Sequence, residues 1–579
     1  MRYIIGISIP ITSLKYIKTK LHIMLKSKYV FTFTLITFLL LSIVGAGIFV
    51  DDEWASAQQL RQLSEGHQIV YNEGIYGYYE NGTTGTYFKY RDNRLIYSMA
   101  LPIASLPVYT LMKLTGEHFR FIFIILWAIL GLMLFPYLYI TKRITKHYVN
   151  LGISTILLFT LLNIYLYKDF PINGKFIPSE VLAIVTTNLL LFGLFSVILH
   201  KIIDILFDDN KLKLFTFITT LSCTSLIFWV GTCKDHILSI LLAIIILYYL
   251  LKYERDKSMT ALSIALFLTG LLTWARTELG AGMLIGIGIY LLLFHYKNIL
   301  YNKWILSISL LTGTIPLWIN NYITTGSFFI HPFMMTMANA QYYLPLTVED
   351  ITSAQLIISS SSNPLWTIFH TFFAPISGAI GLLVIIPLVV IVIPAYILKR
   401  IKLSQTDILL FIMAISSSIY YIVVSGKYMH ADLGIMPDMR YFIFFYTTLT
   451  LFMISILSKI IPDLQYKRMI IYYILAVGLL FILFTTYSAT LSDDGTYRDL
   501  NRIVNTLATL MMGIGLIAVI NDIRLNKNYL TYILPIMIAI PMAWQLVMLF
   551  IYHTSKVHVY PMFMPMTEFL YNYLFGLII

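Results

Sequence analysis

The segment Tyr29–Val50 reads YVFTFTLITFLLLSIVGAGIFV, and Asp51-Asp52-Glu53-Trp54 follows it directly. A helix of this length, at about 1.5 Å per residue, crosses a bilayer core of about 30 Å. The sequence therefore predicts a spanning helix whose end holds three carboxylates at the membrane surface. Charge at that depth is costly unless water, a partner or a substrate meets it. These acids are therefore the first candidates for polar chemistry at the edge of the lipid.

The overall composition is that of a membrane protein. Of 579 residues, 59% are hydrophobic and 12% are charged, whereas soluble chains carry about 25% charged residues. Apolar runs of spanning length recur, which predicts an all-α polytopic membrane protein with about 13–15 transmembrane helices. The predicted spans lie near 29–50, 119–141, 147–167, 181–207, 211–231, 236–252, 258–275, 278–296, 304–322, 376–398, 407–424, 440–459, 467–487, 502–520 and 529–552.

The formal net charge of +12 indicates an orientation in the membrane. If the N-terminus is cytoplasmic and the spans alternate, the cytoplasmic segments hold most Lys and Arg residues, and the outer segment 323–375 holds none. This is the positive-inside pattern. We therefore expect the basic residues to face anionic lipid, with no nucleic acid partner. Most acidic residues fall on the outer side, an excess that the positive-inside pattern does not require.

Three regions follow from these patterns. Residues 1–28 are a basic cytoplasmic N-terminus, and the long apolar run after them predicts a signal anchor. Residues 29–322 form the predicted catalytic module, which includes the outer loop 51–118. Pro102 and Pro107 interrupt an apolar stretch in that loop, which favours interfacial helices over a span. Residues 323–579 hold a second outer loop and the remaining spans of a multi-pass cell-membrane protein.

Several other signals are weak. Cys223 and Cys233 lie in one apolar run and match no disulfide or metal spacing, so we expect apolar fillers. The histidines form no HExxH, which argues against an intramembrane zinc protease. His430-x-Asp432 has the form of half a metal site. Asn81-Gly82-Thr83 is a glycosylation sequon, although an exposed polar turn explains it equally well.

Charged and polar residues gather at the predicted outer ends of spans, where short turns hold them in one plane. A lipid-phosphate substrate would keep its tail in the bilayer and its phosphate in that plane. Arg and Lys could bind the phosphate, and a carboxylate could take a proton from an incoming hydroxyl. The residues of this plane are Asp51, Asp52, Glu53, Asp169, Glu180, Lys234, Asp235, His236, Arg276, Glu278, His331, Lys427, His430, Asp432, Asp438 and Arg440.

Each of these residues also has a simpler interpretation. A single charge at a helix end is often a solvated anchor. Lys234-Asp235 could be a local ion pair, with Asp235 as the N-cap of the next helix. Arg276 and Glu278 could pair with neighbours. The three adjacent acids are harder to explain in this way, because they repel one another.

The sequence resembles the GT-C superfamily of multi-spanning glycosyltransferases that use polyprenyl-phosphate sugars. Asp52-Glu53-Trp54 resembles the Asp-Glu motif of the first outer loop, and Phe176–Glu180 resembles the second acidic position. Gly270–Glu278 is similar to the Gly-to-Arg helix end, and Pro437–Tyr441 to the Gly-Pro-Arg-Tyr motif. Further similarities cover residues 95–109, 321–327 and 372–387. Asp51 replaces a glycine of the family pattern, and Asp438-Met439 replace Gly-Pro. No WWDYG-like signature is present, which argues against the oligosaccharyltransferase branch.

The resemblance implies an inverting transferase. It would move one sugar from a dolichyl- or undecaprenyl-phosphate carrier to a protein, lipid or glycan acceptor at the outer face. The expected general base is Asp52. No metal or other cofactor is required, although the acidic cluster could hold a divalent cation. Asp51, the neighbouring aspartate, is a further catalytic candidate. The other expected site residues are acids that position the acceptor or tune the base, Glu53 and Glu180, and cations that hold the donor phosphate, Arg276, Arg440 and Lys234.

The alternative is a transporter or flippase for a lipid-linked sugar. That class predicts charged residues midway along the spans. The predicted spans are nearly free of charge, which favours chemistry at the surface. A structural scaffold would not explain the acids on the outer side.

Overall fold

The computed structural model describes residues 28–48, 53–67, 89–90, 94–95, 97–169, 178–332, 380–423, 440–488, 496–525, 527–555, 559–560 and 563–576. These ranges are almost entirely helical, with two short antiparallel strand pairs. By length and composition, nine of the described segments could span a membrane, and four shorter apolar helices accompany them. The predicted all-α polytopic class is confirmed.

The first part of the chain contains the strand and the helix that flank the acidic motif in the sequence. Its elements are α1 (Lys28–Ile43), β1 (Ala46–Gly47), α2 (Glu53–Ser64), β2 (Lys89–Tyr90), β3 (Arg94–Leu95), α3 (Ala100–Thr115), α4 (Phe119–Ile140), α5 (Lys146–Tyr165), α6 (Ser179–Leu206), α7 (Asn210–Ser222), α8 (Leu226–Trp229), α9 (His236–Asp256), α10 (Met259–Ala275) and α11 (Thr277–Thr325).

The remainder of the chain packs against this part and returns to it. Its elements are α12 (Leu382–Ile385), α13 (Leu388–Lys399), α14 (Gln405–Val423), a 3-10 turn (Arg440–Phe442), α15 (Ile443–Ile460), α16 (Tyr466–Ser488), α17 (Thr496–Leu525), α18 (Leu530–Ser555), β4 (Val559–Tyr560) and α19 (Pro565–Gly576). Strand β4 pairs with β1, and β2 pairs with β3.

The helix starts follow local capping chemistry. The Asp209 side chain accepts a hydrogen bond from the backbone N–H of Leu212 at 2.9 Å, and Ser258 Oγ accepts one from Ala261 at 3.4 Å. These side chains satisfy N–H groups that have no partner within the first turn of a helix. They explain why α7 and α10 begin where they do, directly after polar residues in an otherwise apolar sequence.

The first predicted span is shorter than expected. Helix α1 ends at Ile43, and the chain continues as strand β1 instead of reaching Val50 as a helix. The prediction that a rigid helix end carries the acids was therefore wrong. Pairing with β4 satisfies the backbone of β1, which provides an alternative to continued helix. Asp51 and Asp52 lie outside the described residues, and Glu53 begins the separate helix α2.

The predicted span 211–231 is also broken, into α7 and α8. The Gln545 side chain of α18 binds the break: its Oε1 accepts from Ile227 N at 3.1 Å, and its Nε2 donates to Ser222 O at 3.0 Å. Non-helical backbone is tolerated inside membrane proteins where other protein groups satisfy it. Hydropathy alone could not reveal this break, because the residues around it are apolar.

Two further spans differ in detail. The predicted spans 278–296 and 304–322 are both helical; they are joined in α11 across a kink, where the backbone is non-helical at His295 and Asn302. Within 376–398, the described part begins at 380, where Ile386-Pro387 separates α12 from α13. Proline lacks the N–H that would continue the helix, which explains the break between α12 and α13.

Helices α10 and α11 approach closely at two glycines. A Cβ placed on Gly313 would lie 2.0 Å from the Phe267 carbonyl oxygen, and one on Gly270 would lie 2.6 Å from the Leu310 oxygen. Small residues allow such close backbone contact between membrane helices. This packing fixes the end of α10, where Arg276 lies.

We expect Gly313→Ala to destabilise the protein by about 1–3 kcal/mol, because the new methyl group overlaps a backbone atom that cannot move freely. Thermal unfolding of the purified protein in detergent would measure the loss. Gly478→Ala is the matched control, since its Cβ would meet nothing within 4 Å. Equal melting temperatures for the two variants would contradict the packing described here.

Candidate active site

The acid Glu53 is completely buried at the start of α2. Its Oε2 accepts a hydrogen bond of 2.9 Å from the backbone N–H of Cys233, in the turn between α8 and α9. A carboxylate in the first turn of a helix is also favoured by the helix dipole. Glu53 therefore attaches the acidic motif to a turn that is 180 residues away in the sequence.

The turn 231–235 is held from three sides. Gly47 N in β1 donates to Gly231 O at 3.2 Å, and Asn188 Nδ2 in α6 donates to the carbonyls of Thr232 and Lys234 at 2.8 and 3.1 Å. Together with the bond from Cys233 N to Glu53, these bonds give partners to four backbone groups of the turn, one N–H and three carbonyls. The side chains that follow Cys233 are therefore held in fixed positions.

Cys233 itself has no chemical role in this arrangement. It is a free, fully buried cysteine, as is Cys223, which agrees with the predicted apolar fillers. Burial, and next the charge of Glu53, raise the pKa of the Cys233 thiol well above its ordinary value. Because the thiolate is the reactive form, this thiol is a poor nucleophile and a poor metal ligand.

Lys234 lies beside the acidic helix. Its side chain is 7% exposed, and its Nζ is 5.8 Å from the centre of the Tyr97 ring. The Tyr97 carbonyl accepts a bond of 2.8 Å from Gln59 Nε2 in α2. Lys234, one of the predicted phosphate-binding cations, is thus the residue next to Cys233, whose backbone N–H Glu53 binds.

Arg276 lies at the end of α10, where the backbone is extended before α11 begins. Its Nη1 is 2.6 Å from His236 Nδ1 and 3.4 Å from Asp235 Oδ1. Because a guanidinium only donates, His236 Nδ1 must accept. The guanidinium also lies 5.1 Å from the centre of the Tyr441 ring, within reach of a cation–π contact.

Asp235 occupies the N-cap position of α9, but its side chain makes no capping hydrogen bond. The alternative interpretation of Asp235 as a simple helix cap is therefore wrong. Its carboxylate contacts Arg276 instead. Four consecutive residues, 233–236, connect Glu53 on one side with Arg276 on the other.

Glu180 lies at the start of α6 and is 6% exposed. Its Oε1 accepts a bond of 2.7 Å from the Tyr109 hydroxyl in α3. Lys113 lies over the Tyr109 ring at 4.6 Å and donates to Ser64 Oγ at 3.2 Å. Glu180 thus joins α3 to α6 beside α2, which indicates a positioning role.

Asn320 in α11 is a residue that the sequence analysis missed. Its Oδ1 accepts from Met99 N at 3.1 Å and lies 3.4 Å from Trp274 Nε1. It therefore ties the segment after Tyr97 to the end of α10. The available signal was a pair of adjacent amides, Asn320-Asn321, within an apolar helix, where polar residues are rare and usually have a partner or a function.

Two neighbouring polar residues, both partly buried, contact each other. Thr277 Oγ1 lies 3.0 Å from His331 Nε2. Burial lowers the pKa of His331, which lies outside the spanning segments, while the charge of Glu278 opposes this shift. His331 is therefore neutral near pH 7. In α2, Gln62 is 3% exposed, and within the part of the chain that the structure describes neither of its amide atoms has a hydrogen-bond partner. Gln58 and Gln59 are buried as well, so the buried face of this helix is polar.

Several predicted site residues cannot be placed. Asp51, Asp52, His430 and Asp432 lie outside the described residues. The backbone of Arg440 begins the 3-10 turn that presents Tyr441, but its side chain also lies outside what the structure describes. The described residues contain no cluster of three or more potential metal ligands. Because the acidic motif is only partly among them, divalent cation binding stays a prediction.

No family model matches the chain, and no curated protein matches its sequence. Among solved structures, it is similar to the crystal structure of ArnT from Cupriavidus metallidurans bound to undecaprenyl phosphate. The two share 12% sequence identity with a TM-score of 0.44, over 90% of this chain and 76% of the other. Similarity of this size does not identify an activity.

Proposed function

We propose that this protein is a GT-C-type membrane glycosyltransferase that moves one sugar from a polyprenyl-phosphate carrier to an acceptor at the outer face. One observation carries the proposal: the turn 233–236 binds Glu53 at one end and Arg276 at the other. Glu53 of the acidic motif is therefore connected with Lys234 and Arg276, two of the predicted phosphate-binding residues, although the three come from separate parts of the sequence.

The two groups have complementary tasks in such a transfer. Asp52 would take the proton of the acceptor hydroxyl as its oxygen attacks the anomeric carbon of the sugar. The bond between that carbon and the phosphate oxygen breaks, and polyprenyl phosphate leaves. Attack from the face opposite to the phosphate inverts the anomeric configuration. The leaving phosphate keeps the electron pair, and its charge requires fixed cations nearby.

Among the predicted cations, Arg276 is the preferred candidate for binding the leaving phosphate. Asp235 and His236 orient its guanidinium, and a guanidinium can bind two phosphate oxygens at once. Lys234 would add a second positive charge, and Arg440 a third, in agreement with the motif resemblance. These charges would stabilise the leaving group without requiring a metal.

Glu53 is better suited to positioning than to proton transfer. Its carboxylate is completely buried, and one oxygen already accepts a backbone N–H. An oxygen that is buried and already bonded to the protein backbone is poorly placed to reach the proton of an acceptor hydroxyl. Asp52, which directly precedes Glu53 in the sequence, is therefore the preferred base. Glu180 would act indirectly, through Tyr109.

The distribution of charge supports this proposal over a transporter. The described ion pairs lie close to helix ends or at the kink in α11; examples are Lys28–Asp204, Arg276–Asp235 and Lys459–Asp407. A transport path would require ionisable groups along the middle of the spans. Among the described residues, charge is instead concentrated where chemistry at a membrane surface would need it.

The direct test is sugar transfer by the purified protein in liposomes. Radiolabelled undecaprenyl-phosphate mannose and glucose would be offered with protein, lipid and glycan acceptors. We expect labelled acceptor and free undecaprenyl phosphate in equal amounts, with the anomeric configuration inverted. Movement of intact labelled lipid between leaflets, without loss of the sugar, would instead support the flippase.

A further inference from the structure

The returning segment, which consists of residues 559–560 and 563–576, lies against elements from the start of the chain. Strand β4 pairs antiparallel with β1, so that Ala46 lies opposite Tyr560 and Gly47 opposite Val559. Gly47 is four residues before Asp51 in the sequence. The returning segment therefore holds the backbone immediately ahead of the acidic motif.

An ion pair anchors this segment to α4. The Arg120 guanidinium binds the Glu568 carboxylate, and Arg120 Nε lies 3.4 Å from the Phe563 carbonyl oxygen. The Arg120 side chain is only 5% exposed, whereas Glu568 is 33% exposed. Removal of the carboxylate from a buried ion pair strongly destabilises the folded arrangement, because the guanidinium stays buried without that compensating charge. Glu568 therefore contributes strongly to holding the returning segment in this position.

Apolar and polar contacts support the same position. The ring of Phe563 stacks on Phe123 with 4.7 Å between the ring centres. Met566 N donates a bond of 2.8 Å to Asn163 Oδ1, an amide that is fully buried in the apolar helix α5. Phe563 and Met564 are themselves buried. The segment is therefore packed against α4 and α5 and not merely close to them.

Strand β1 lies between two supports. On one side it pairs with β4, and on the other Gly47 donates to Gly231 in the turn that leads to Lys234. The site side of β1 is thus held by the turn 231–235, which Asn188 of α6 supports, whereas its other side depends on the returning segment. Loss of β4 would release the chain that leads to the acids from one of its two supports.

We propose that Glu568 is a positioning residue for sugar transfer: through Arg120 it fixes the returning segment, whose strand β4 holds β1 and so places the acidic motif. This inference rests on the proposed function. A displacement of a reacting group by about 1 Å can reduce a rate by about 100-fold. Glu568 can therefore affect kcat without touching the substrate.

Charge reversal tests the ion pair. We expect Glu568→Arg to reduce kcat at least ~10-fold with little change in KM for the donor, and the double variant Arg120→Glu/Glu568→Arg to recover most of the activity. Asp499→Asn is the control, because the Asp499–Arg502 pair is exposed. Unchanged kcat in Glu568→Arg would overturn the inference, as would an equal loss of kcat in the control.

Cross-linking tests the strand pairing independently of activity. Residues directly opposite in an antiparallel pair have Cα atoms about 4.5–5.5 Å apart, within the range of a disulfide. We expect Ala46→Cys/Tyr560→Cys to form a disulfide on mild oxidation, more slowly when Glu568→Arg is added. Closing the disulfide in that triple variant should restore its kcat.

The outcomes separate the two proposals. If no disulfide forms, or if the closed disulfide leaves the triple variant inactive, the role of the returning segment is wrong while the transferase remains. If the disulfide forms as expected but the parent protein releases no polyprenyl phosphate from any donor, the proposed function is wrong instead.

Discussion

Asp52→Asn is expected to reduce kcat for sugar transfer by about 10²–10⁴-fold, with little change in KM for the lipid-linked donor. The amide keeps the size of the carboxylate but cannot take the proton of the acceptor hydroxyl, and a general base contributes about this much to a rate. The measurement is single-turnover release of undecaprenyl phosphate in liposomes. The control is Asp499→Asn, which removes a carboxylate from an exposed ion pair with Arg502 and should leave kcat nearly unchanged. Asp51→Asn, at the neighbouring position, should lower kcat less than Asp52→Asn.

The same series distinguishes the base from its support. Glu53→Gln should lower the melting temperature, because the buried Glu53 carboxylate accepts the Cys233 N–H and hydrogen bonds to charged groups contribute about 1.5–3 kcal/mol. Full activity in Asp52→Asn together with inactivity in a stably folded Asp51→Asn would move the base to Asp51. Full activity in both would remove this motif from the mechanism.

Arg276→Ala is expected to reduce kcat by about 10²–10³-fold and to raise KM for the donor. The change removes the cation that would stabilise the leaving phosphate, and the loss of one such donor in other enzymes has effects of this size. Arg276→Lys should recover only part of the activity, since lysine keeps the charge but lacks the planar fork that binds two oxygens.

The control for this prediction is Arg255→Ala. Arg255 is an exposed arginine that pairs with its neighbour Asp256 at the other end of α9. We expect Arg255→Ala to leave kcat and the KM for the donor nearly unchanged. A thermal shift on adding undecaprenyl phosphate should be smaller for Arg276→Ala than for Arg255→Ala. Equal shifts would show that Arg276 does not bind the phosphate.

Much of the helical organisation could be predicted from hydropathy. The predicted span 181–207 is observed as Ser179–Leu206, and 467–487 as Tyr466–Ser488. These agreements reflect a local cause, because a helix in lipid must be apolar over its length and satisfies its own backbone. The failures occur at 29–50 and 211–231, where a distant strand and the Gln545 side chain satisfy the backbone instead.

The site could be predicted only in part. Glu53, Lys234 and Arg276 were identified as residues at the ends of spans, and the structure connects all three through one turn. The amides Asn188 and Asn320, which hold that turn and the end of α10, were missed. Nothing in the local sequence distinguishes a supporting amide from any other polar residue, because its role depends on the backbone it meets.

Hydropathy and charge along the chain, taken alone, determined that this is a helical membrane protein whose charges gather at helix ends. Both properties depend on residues that are neighbours in the sequence, because each helix in lipid must be apolar over its own length and satisfies its own backbone hydrogen bonds. Only the tertiary structure decided that residues 233–236 join Glu53 to Arg276, and that the returning segment pairs with β1 beside the acids. Those contacts join residues that are between 40 and 514 positions apart, and their geometry arises from how the helices pack.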